Sequence, residues 1–349
     1  MFAAKGRYRV TDHSAPSSAL LDPAPVVPNI PERLLLDLNG ECNLRCPKCL
    51  LHSIEDKAEK EKYIGTMPFD AVMGILDEVA PAKPLIQPNT WGEPLLTPRL
   101  RDHLKAMKDR HFAVAMNTNG LTLNEEMARF MVEIRMDALF FSIDATTPET
   151  LKKVRGIDKL KKIHTNVEMA LRIRGDSVFP RIGVTFTVEN ENRHEVEAFI
   201  AYWTRIVDVV RIGDVYADGH VQGVETPKER TPCHALYQTM PIHWNGDALI
   251  CCYDSTASHV LGNVFRDGVH AVWHGEGYSR IRHLHETGQW DQLPFCKNCN
   301  AWAGYRYEER IEGDLLIRSS PQMTYYNRID RLRNWSSALK GHIPVSQDD

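Results

Sequence analysis

From Leu34 to about Val215 short apolar runs alternate with amphipathic stretches, and the rhythm stops near residue 230. The apolar runs predict strands at Leu34–Leu38, Leu85–Gln87, Phe112–Met116, Ala138–Ile143, Arg181–Val188 and Val207–Ile212. Between them, helices are predicted over Phe69–Val79, Arg99–Arg110, Asn124–Arg135, Lys159–Arg174 and Arg193–Ile206. In the first, Phe69, Val72, Met73, Ile75, Leu76 and Val79 recur at helical spacing, and Pro68 suits a first turn. Strands alternating with helices imply an α/β fold whose parallel sheet is covered on its outer face. Farther on, Met240 to Cys251 reads as two short strands around Asn245-Gly246-Asp247, a hairpin signal. The charged tail beyond Trp302 is expected to pack as helix or extended chain, with frayed last residues.

Composition narrows the class. Of 349 residues, 43% are hydrophobic and 25% charged, ordinary for a globular protein with a substantial core. A formal net charge of −4 gives no reason to expect a nucleic-acid partner. No apolar run approaches the roughly 18–20 residues of a membrane span, and residues 1 to 31 lack the apolar stretch of a signal peptide, so a cytoplasmic location is expected.

The cysteines carry the chemistry. Three of the eight precede residue 50, none lies between 50 and 232, and five fall between Cys233 and Cys299. In a reducing compartment such clusters bind metal or do catalysis more often than they form disulfides. Cys42, Cys46 and Cys49 form a C-x3-C-x2-C run just after the first strand. Three thiolates on one loop can hold three irons of a [4Fe-4S] cube and leave the fourth open. A zinc loop is the alternative, but a structural zinc site wants four ligands, and no histidine pair follows at finger spacing.

This run resembles that of the radical S-adenosylmethionine (SAM) superfamily. The resemblance implies a partial (β/α)6 TIM-like barrel, with its site in loops at the carboxyl ends of the strands. It also implies SAM chelated by the open iron, and an electron donor such as flavodoxin or ferredoxin. Asn89-Thr90-Trp91-Gly92-Glu93-Pro94 looks like the superfamily's GGEP segment with Trp91 in place of the first glycine. Gly92 and Glu93 would then face the methionyl ammonium of SAM. Asn117-Thr118-Asn119-Gly120 is a turn found in relatives. Ser142 and Asp144 share a strand face, and Arg155-Gly156 follows. By resemblance Ser142, Asp144 and Arg155 serve SAM or substrate, although a lone arginine is ordinarily a solvated surface residue. Thr187, Glu189 and Asn190 are weaker candidates at the next strand end.

Twelve residues separate Cys233 from Gly246, four separate Gly246 from Cys251, and Cys296-x2-Cys299 comes last. This pattern resembles the cluster-binding SPASM extension and its shorter relative, Twitch. A full SPASM domain continues with further cysteines, whereas the position six beyond Cys299 is Tyr305. The resemblance thus implies a second [4Fe-4S] cluster closed by Cys233, Cys251, Cys296 and Cys299, with a four-cysteine zinc site as the alternative. Cys252 competes with Cys251, since neighbouring strand residues point to opposite faces. The spare thiol is either a small buried hydrophobe or a hydrogen-atom donor to a substrate radical. The expected division is 1–30 extension, 31–229 barrel, 230–303 Twitch/SPASM-like cluster segment and 304–349 tail. Relatives act on aminocyclitols, sugars and nucleosides, or on peptides. Some thirty residues before the first strand are few for a peptide-recognition domain, so a small-molecule substrate is expected.

Overall fold

The computed structural model describes residues 25–305 and 307–332. Residues 1–24 of the expected extension, and 333–349, where the tail's end was expected to fray, lie outside the described residues. Strands follow as β1 (Arg33–Leu36), β2 (Leu85–Gln87), β3 (Ala115–Thr118), β4 (Ala138–Ser142), β5 (Arg181–Val188) and β6 (Val209–Asp214). A small hairpin, β7 (Tyr216–Ala217) and β8 (His220–Val221), comes next, then β9 (Thr239–Ile242), β10 (Asp247–Leu249) and β11 (Val260–Asn263). The tail supplies β12 (Glu308–Glu312), β13 (Leu315–Ser319) and β14 (Met323–Arg328).

The first six strands run parallel in sequence order. β2 and β3 are joined by a single parallel bridge between Ile86 and Val114. Outward-facing Leu34, Leu36, Leu139, Phe141, Val184 and Phe186 pack on the covering helices, including Val72, Leu76, Leu104 and Trp203. Burying each such side chain contributes about 1.5–3 kcal/mol. Ala138, Phe140 and Val209 face inward and meet Tyr325 of β14. Curvature brings Arg211 of β6 over the Phe140 ring, 5.3 Å from its centroid, and within reach of Asn117 on β3. The result is a partial barrel.

Both barrel edges are paired by later segments. β9 lies parallel to β1, in register from Arg33 opposite Thr239 to Leu36 opposite Ile242. β10 turns back on β9, as the Asn245-Gly246-Asp247 pattern predicts, and β11 extends the hairpin. At the other edge β14 runs antiparallel to β6, with β13 and β12 beyond it.

Element ends differ from the sequence expectation for local reasons. The third strand starts later than Phe112 because Phe112 is committed to the helix-side core and the Val114 amide is taken by the Asp137 carboxylate at 2.8 Å. Arg99 sits in the left-handed region at φ 56°, so its helix begins at Leu100. The Arg193–Ile206 helix divides into a 3-10 turn at Arg193–Glu195 and a helix over Val196–Trp203. The last predicted strand loses its first residues because the Asp208 side chain, rather than a ladder partner, takes the Ile182 amide at 2.8 Å.

Asp208 is also the main polar node far from the cysteines. It is buried, pairs with buried Arg174, accepts from Arg331 at 2.9 Å, and its carbonyl takes the Arg328 amide. Removing one partner of a buried ion pair leaves the other uncompensated. Asp208→Ala is therefore expected to lower unfolding free energy by about 3–5 kcal/mol, measured by anaerobic urea denaturation, without loss of bound iron. A change below about 1 kcal/mol, the value of an exposed pair, contradicts this account.

Candidate active site

The three-cysteine loop leaves β1 at the carboxyl end of the strand and is fixed by its backbone. Gly40 donates to the Gly65 carbonyl at 2.8 Å, and the Cys49 amide to the Cys46 carbonyl at 3.0 Å. Cys42, Cys46 and Cys49 are free and partly exposed. Backbone amides already point at two sulfurs: Leu44 at Cys42 Sγ (3.4 Å) and His52 at Cys49 Sγ (3.2 Å). Burial pushes the Cys42 and Cys46 thiols up to about 11. The Glu93 carboxylate and the neighbouring thiols add to the rise at Cys42, while the Arg155 guanidinium pulls Cys46 back. Thiols crowded this way ionise readily only against a bound cation, as metal ligands do. The donor set fits iron.

Gly92 is pressed on this loop. A Cβ built there would lie 1.9 Å from the Asn39 carbonyl oxygen, and the Glu93 amide donates to the Glu41 carbonyl at 2.8 Å. The Glu93 carboxylate accepts from Thr118 Oγ1 (2.6 Å), the Asn119 amide (2.8 Å) and the Leu95 amide (3.1 Å). Burial raises its pKa and those hydrogen bonds only partly offset the rise. Three donors leave one of its four acceptor positions open. Asn119 also reaches Asn43 Oδ1 at 2.7 Å, tying the third strand's turn to the cysteine loop.

Asp144, two residues beyond β4, sits at φ 63°, a left-handed conformation rare for a side-chain-bearing residue. Its carboxylate takes the Thr187 amide at 2.6 Å and Arg155 at 2.6–2.8 Å. Burial works against the Arg155 charge, but Asp144 and the thiols of Cys46 and Cys42 outweigh it and raise its pKa. Arg155 is thus held beside the cysteine loop, not solvated. Ser142 stands half-buried on the Phe140 face of β4, opposite Thr185. Glu189 lies at the β5 exit; burial, then Glu191 and Asp144, push it up to about 7.

Cys233, Cys251, Cys252, Cys296 and Cys299 line one pocket together with Arg230, Tyr253, His285 and Tyr305. Tyr305, at the place where a longer pattern would have cysteine, is part of its wall. The helix Glu276–Glu286 backs the pocket with Ile281 and Leu284, and Cys233, Cys251 and Cys296 pack on that apolar cluster. Buried Arg282 locks the helix by donating to the Leu236 (2.9 Å) and Trp273 (2.8 Å) carbonyls. Burial pushes Cys233 and Cys296 up to about 12. Cys251 and Cys252 hydrogen-bond each other, which holds Cys252 down and drives Cys251 up. Both therefore reach the pocket. Thiols set around one pocket can supply the four ligands of an iron–sulfur cluster.

The two cysteine sets share a wall. Trp91 Nε1 donates to the Cys252 carbonyl at 2.9 Å, and Ser255 Oγ to the Leu50 carbonyl at 2.8 Å. Leu51, Trp91 and Leu249 form a small apolar cluster there, with Cys49 against it. Sequence reasoning missed these contacts, and with them Arg230, His285 and the Tyr216–Tyr253 stack (3.9 Å, 6°). No spacing signal marks any of them.

Behind Trp91 lies Asp37, wholly buried and 3.9 Å from buried His243. Neither Asp37 oxygen makes a well-formed hydrogen bond. Burial pushes this carboxyl up to about 7 from an ordinary 3.8, with only a partial pull-back from the Trp91 and Gly92 amides. The folded protein thus keeps a proton that the unfolded chain releases between about pH 4 and pH 7, so this group makes stability fall as pH rises through that window. His243, lowered by burial from 6.5, acts oppositely, adding stability as pH rises up to about 6.5. Asp37→Asn is expected to gain stability on the parent steadily from pH 4 to pH 7 and no further above, read by urea unfolding across pH. A pH-independent difference between the two proteins would refute this.

Residues 38–202 match the family described as the Radical SAM superfamily, and residues 233–300 match SPASM, an iron–sulfur cluster-binding domain. A Pyrococcus furiosus protein named as a tungsten-containing aldehyde ferredoxin oxidoreductase cofactor-modifying protein is 24% identical over 323 residues, spanning 76% of this chain and 86% of its own. A 7,8-dihydro-6-hydroxymethylpterin dimethyltransferase from Methanocaldococcus jannaschii is 28% identical over 178 residues, 50% of this chain and 34% of its own. Among solved structures, BtrN in complex with AdoMet and 2-DOIA aligns with TM-score 0.51 at 16% identity, covering 77% of this chain and 92% of that one. AdoMet-bound anSMEcpe aligns with TM-score 0.58 at 13% identity, covering 78% and 86%. SuiB of Streptococcus suis, bound to its precursor peptide, aligns with TM-score 0.58 at 15% identity, covering 73% and 67%. These structural likenesses concern the fold. With the matched segments and the two cysteine sets, they identify the chain as a member of the radical SAM superfamily, in its SPASM/Twitch branch, whose cofactors are SAM and [4Fe-4S] clusters.

Proposed function

We propose that this enzyme acts on a small polyol, sugar, aminocyclitol or nucleoside intermediate of natural-product biosynthesis, ending in oxidation, epimerisation or dehydration. Cys42, Cys46 and Cys49 hold the SAM-binding cluster, and Cys233, Cys251, Cys296 and Cys299 the auxiliary one. When loaded with SAM and given one electron by an external donor such as flavodoxin or ferredoxin, the first site would supply reductive cleavage of the S–C5′ bond of SAM, releasing methionine and a 5′-deoxyadenosyl radical able to take a substrate hydrogen. The protein's own residues position and shield. Gly92 lets its loop close on Asn39, and the remaining acceptor position of Glu93 suits an ammonium, a charge-assisted contact of roughly 1.5–3 kcal/mol. Ser142, Asp144 and Arg155 stand on the same rim. The arginine, held by Asp144 beside Cys46, suits an anionic group of SAM.

The contact between the two cysteine sets supports this reading, because it brings their loops together. The inner faces of the strands support a hydrogen-bonding small molecule: Gln87, Asn117, Ser142, Thr185 and Thr187 offer amides and hydroxyls. The pterin-acting and cofactor-modifying roles of the two sequence relatives point the same way. A peptide substrate is the second reading, favoured by β12, which is an edge strand among the described residues and has all five residues exposed. Its Glu-Glu-Arg-Ile-Glu charges are of the kind that discourage strand addition. The Cys252 thiol beside Cys251 favours a place in the cluster wall over hydrogen donation to substrate. No helix among the described residues is long and apolar enough to cross a membrane, in keeping with the proposed cytoplasmic location.

Anaerobic protein given dithionite and SAM is expected to release 5′-deoxyadenosine, and Cys49→Ala to release none. The parent is expected to carry about eight irons, and Cys49→Ala about four. Undiminished cleavage in that variant removes Cys49 from the site, and zinc in place of the second set of irons removes the auxiliary cluster.

A further inference from the structure

Arg230 belongs to no motif, yet it is fastened to the auxiliary pocket. Its Nη2 donates to the Cys296 carbonyl at 2.7 Å and its Nη1 to the Lys297 carbonyl at 3.0 Å. Both carbonyls belong to the turn that carries Cys296 and Cys299. The guanidinium also lies 4.9 Å from the Trp290 ring centroid and 6.0 Å from that of Trp302. It lines the pocket with the thiols, and among charged groups Cys296, Cys299 and Cys233 act on it most strongly. Asp291, which acts on it less, is paired with Lys297 at 3.3 Å on the surface.

The opposing charge is Asp254, which faces Cys296. That carboxylate is already held by the Ser258 amide (2.8 Å), Ser258 Oγ (2.6 Å) and the His259 amide (2.8 Å), which spread its charge over three donors. Arg230 spends its own donors on neutral carbonyls, so its full positive charge remains directed at the pocket. Arginine does not lose that charge at any ordinary pH, and its fork is matched to the two carbonyls.

We propose that Arg230 sets the reduction potential of the auxiliary cluster by acting as a fixed positive charge at its edge. The proposal rests on the reading that this pocket holds a four-cysteine cluster. Four thiolates around a cube leave it negative, and reduction adds one more negative charge. A nearby fixed cation therefore stabilises the reduced form more than the oxidised one. The potential rises, which makes the site a better electron acceptor. Arg230 touches neither substrate nor reacting atoms. It is a tuning residue.

The test is an EPR-monitored redox titration of anaerobically reconstituted protein in a Cys42→Ala/Cys46→Ala/Cys49→Ala background, so that only the auxiliary cluster reports. Arg230→Gln is expected to lower the midpoint enough to reduce the reduced-to-oxidised ratio at least tenfold at a fixed applied potential, about 59 mV for one electron. Arg230→Lys, which keeps the charge, is expected to stay within that tenfold of the parent. An unchanged midpoint in the glutamine variant with iron retained overturns the proposal, as does a lysine variant that falls as far as glutamine. If glutamine prevents cluster assembly, the lysine variant decides by the same limit. Failure of the underlying reading is distinct: the triple-cysteine background itself would then hold no iron instead of about four atoms.

Discussion

Six parallel strands do not close a barrel, and the two unpaired edges are the constraint on which the rest of this structure depends. Each edge offers a row of amides and carbonyls that must find partners. Here β9 satisfies the β1 edge and β14 the β6 edge. The first pairing sets the position of the auxiliary cysteines. Once Thr239–Ile242 lies in register along Arg33–Leu36, the hairpin returning through β10 delivers Cys251 and Cys252 beside the loop that leaves β1. The contacts of Trp91 with Cys252 and of Ser255 with Leu50 follow from that register. A shift of one residue would turn the hairpin's side chains to the other face.

Burial shapes the chemistry on both sides of that wall. Desolvation pushes up Cys42 and Cys46 in the first set and Cys233 and Cys296 in the second, so in the protein alone these thiols favour the neutral form. A bound cluster reverses the balance by bringing its own positive charge. Fixed charges then act with little screening. Arg155 stands at the first set, anchored by Asp144, and Arg230 at the second, anchored by backbone carbonyls. The two arginines have different counter-ions and so different freedom to act on a bound group: one shares its charge with a carboxylate, the other does not.

Much of the barrel was legible because each strand and helix announces itself locally, through period and through flanking proline, glycine and asparagine. Errors fell where a side chain replaced a backbone partner, as Asp137 does at Val114 and Asp208 at Ile182. Neither substitution has a local pattern. Among the proposed site residues, the cysteines come from spacing, and Glu93, Asp144 and Arg155 from the family resemblance. Their partners were not legible. Thr118, Asn119 and Thr187 come from other strands, and only the curl of the sheet brings them within reach.

The amino-acid sequence by itself determined the alternating α/β rhythm, the two thiol sets and the hairpin that carries the second. These depend on covalent spacing and on the turn preferences of a few residues. Tertiary structure alone decided that the two sets share one wall, that Cys252 joins Cys251 at the pocket, and that Arg230 stands over it. It also decided that Asp37 and His243 are buried together behind Trp91. The reason is physical: these relations join positions up to 206 residues apart, as Asp37 and His243 are. No local propensity encodes them, and only the pairing of sheet edges and the packing of the core bring them together.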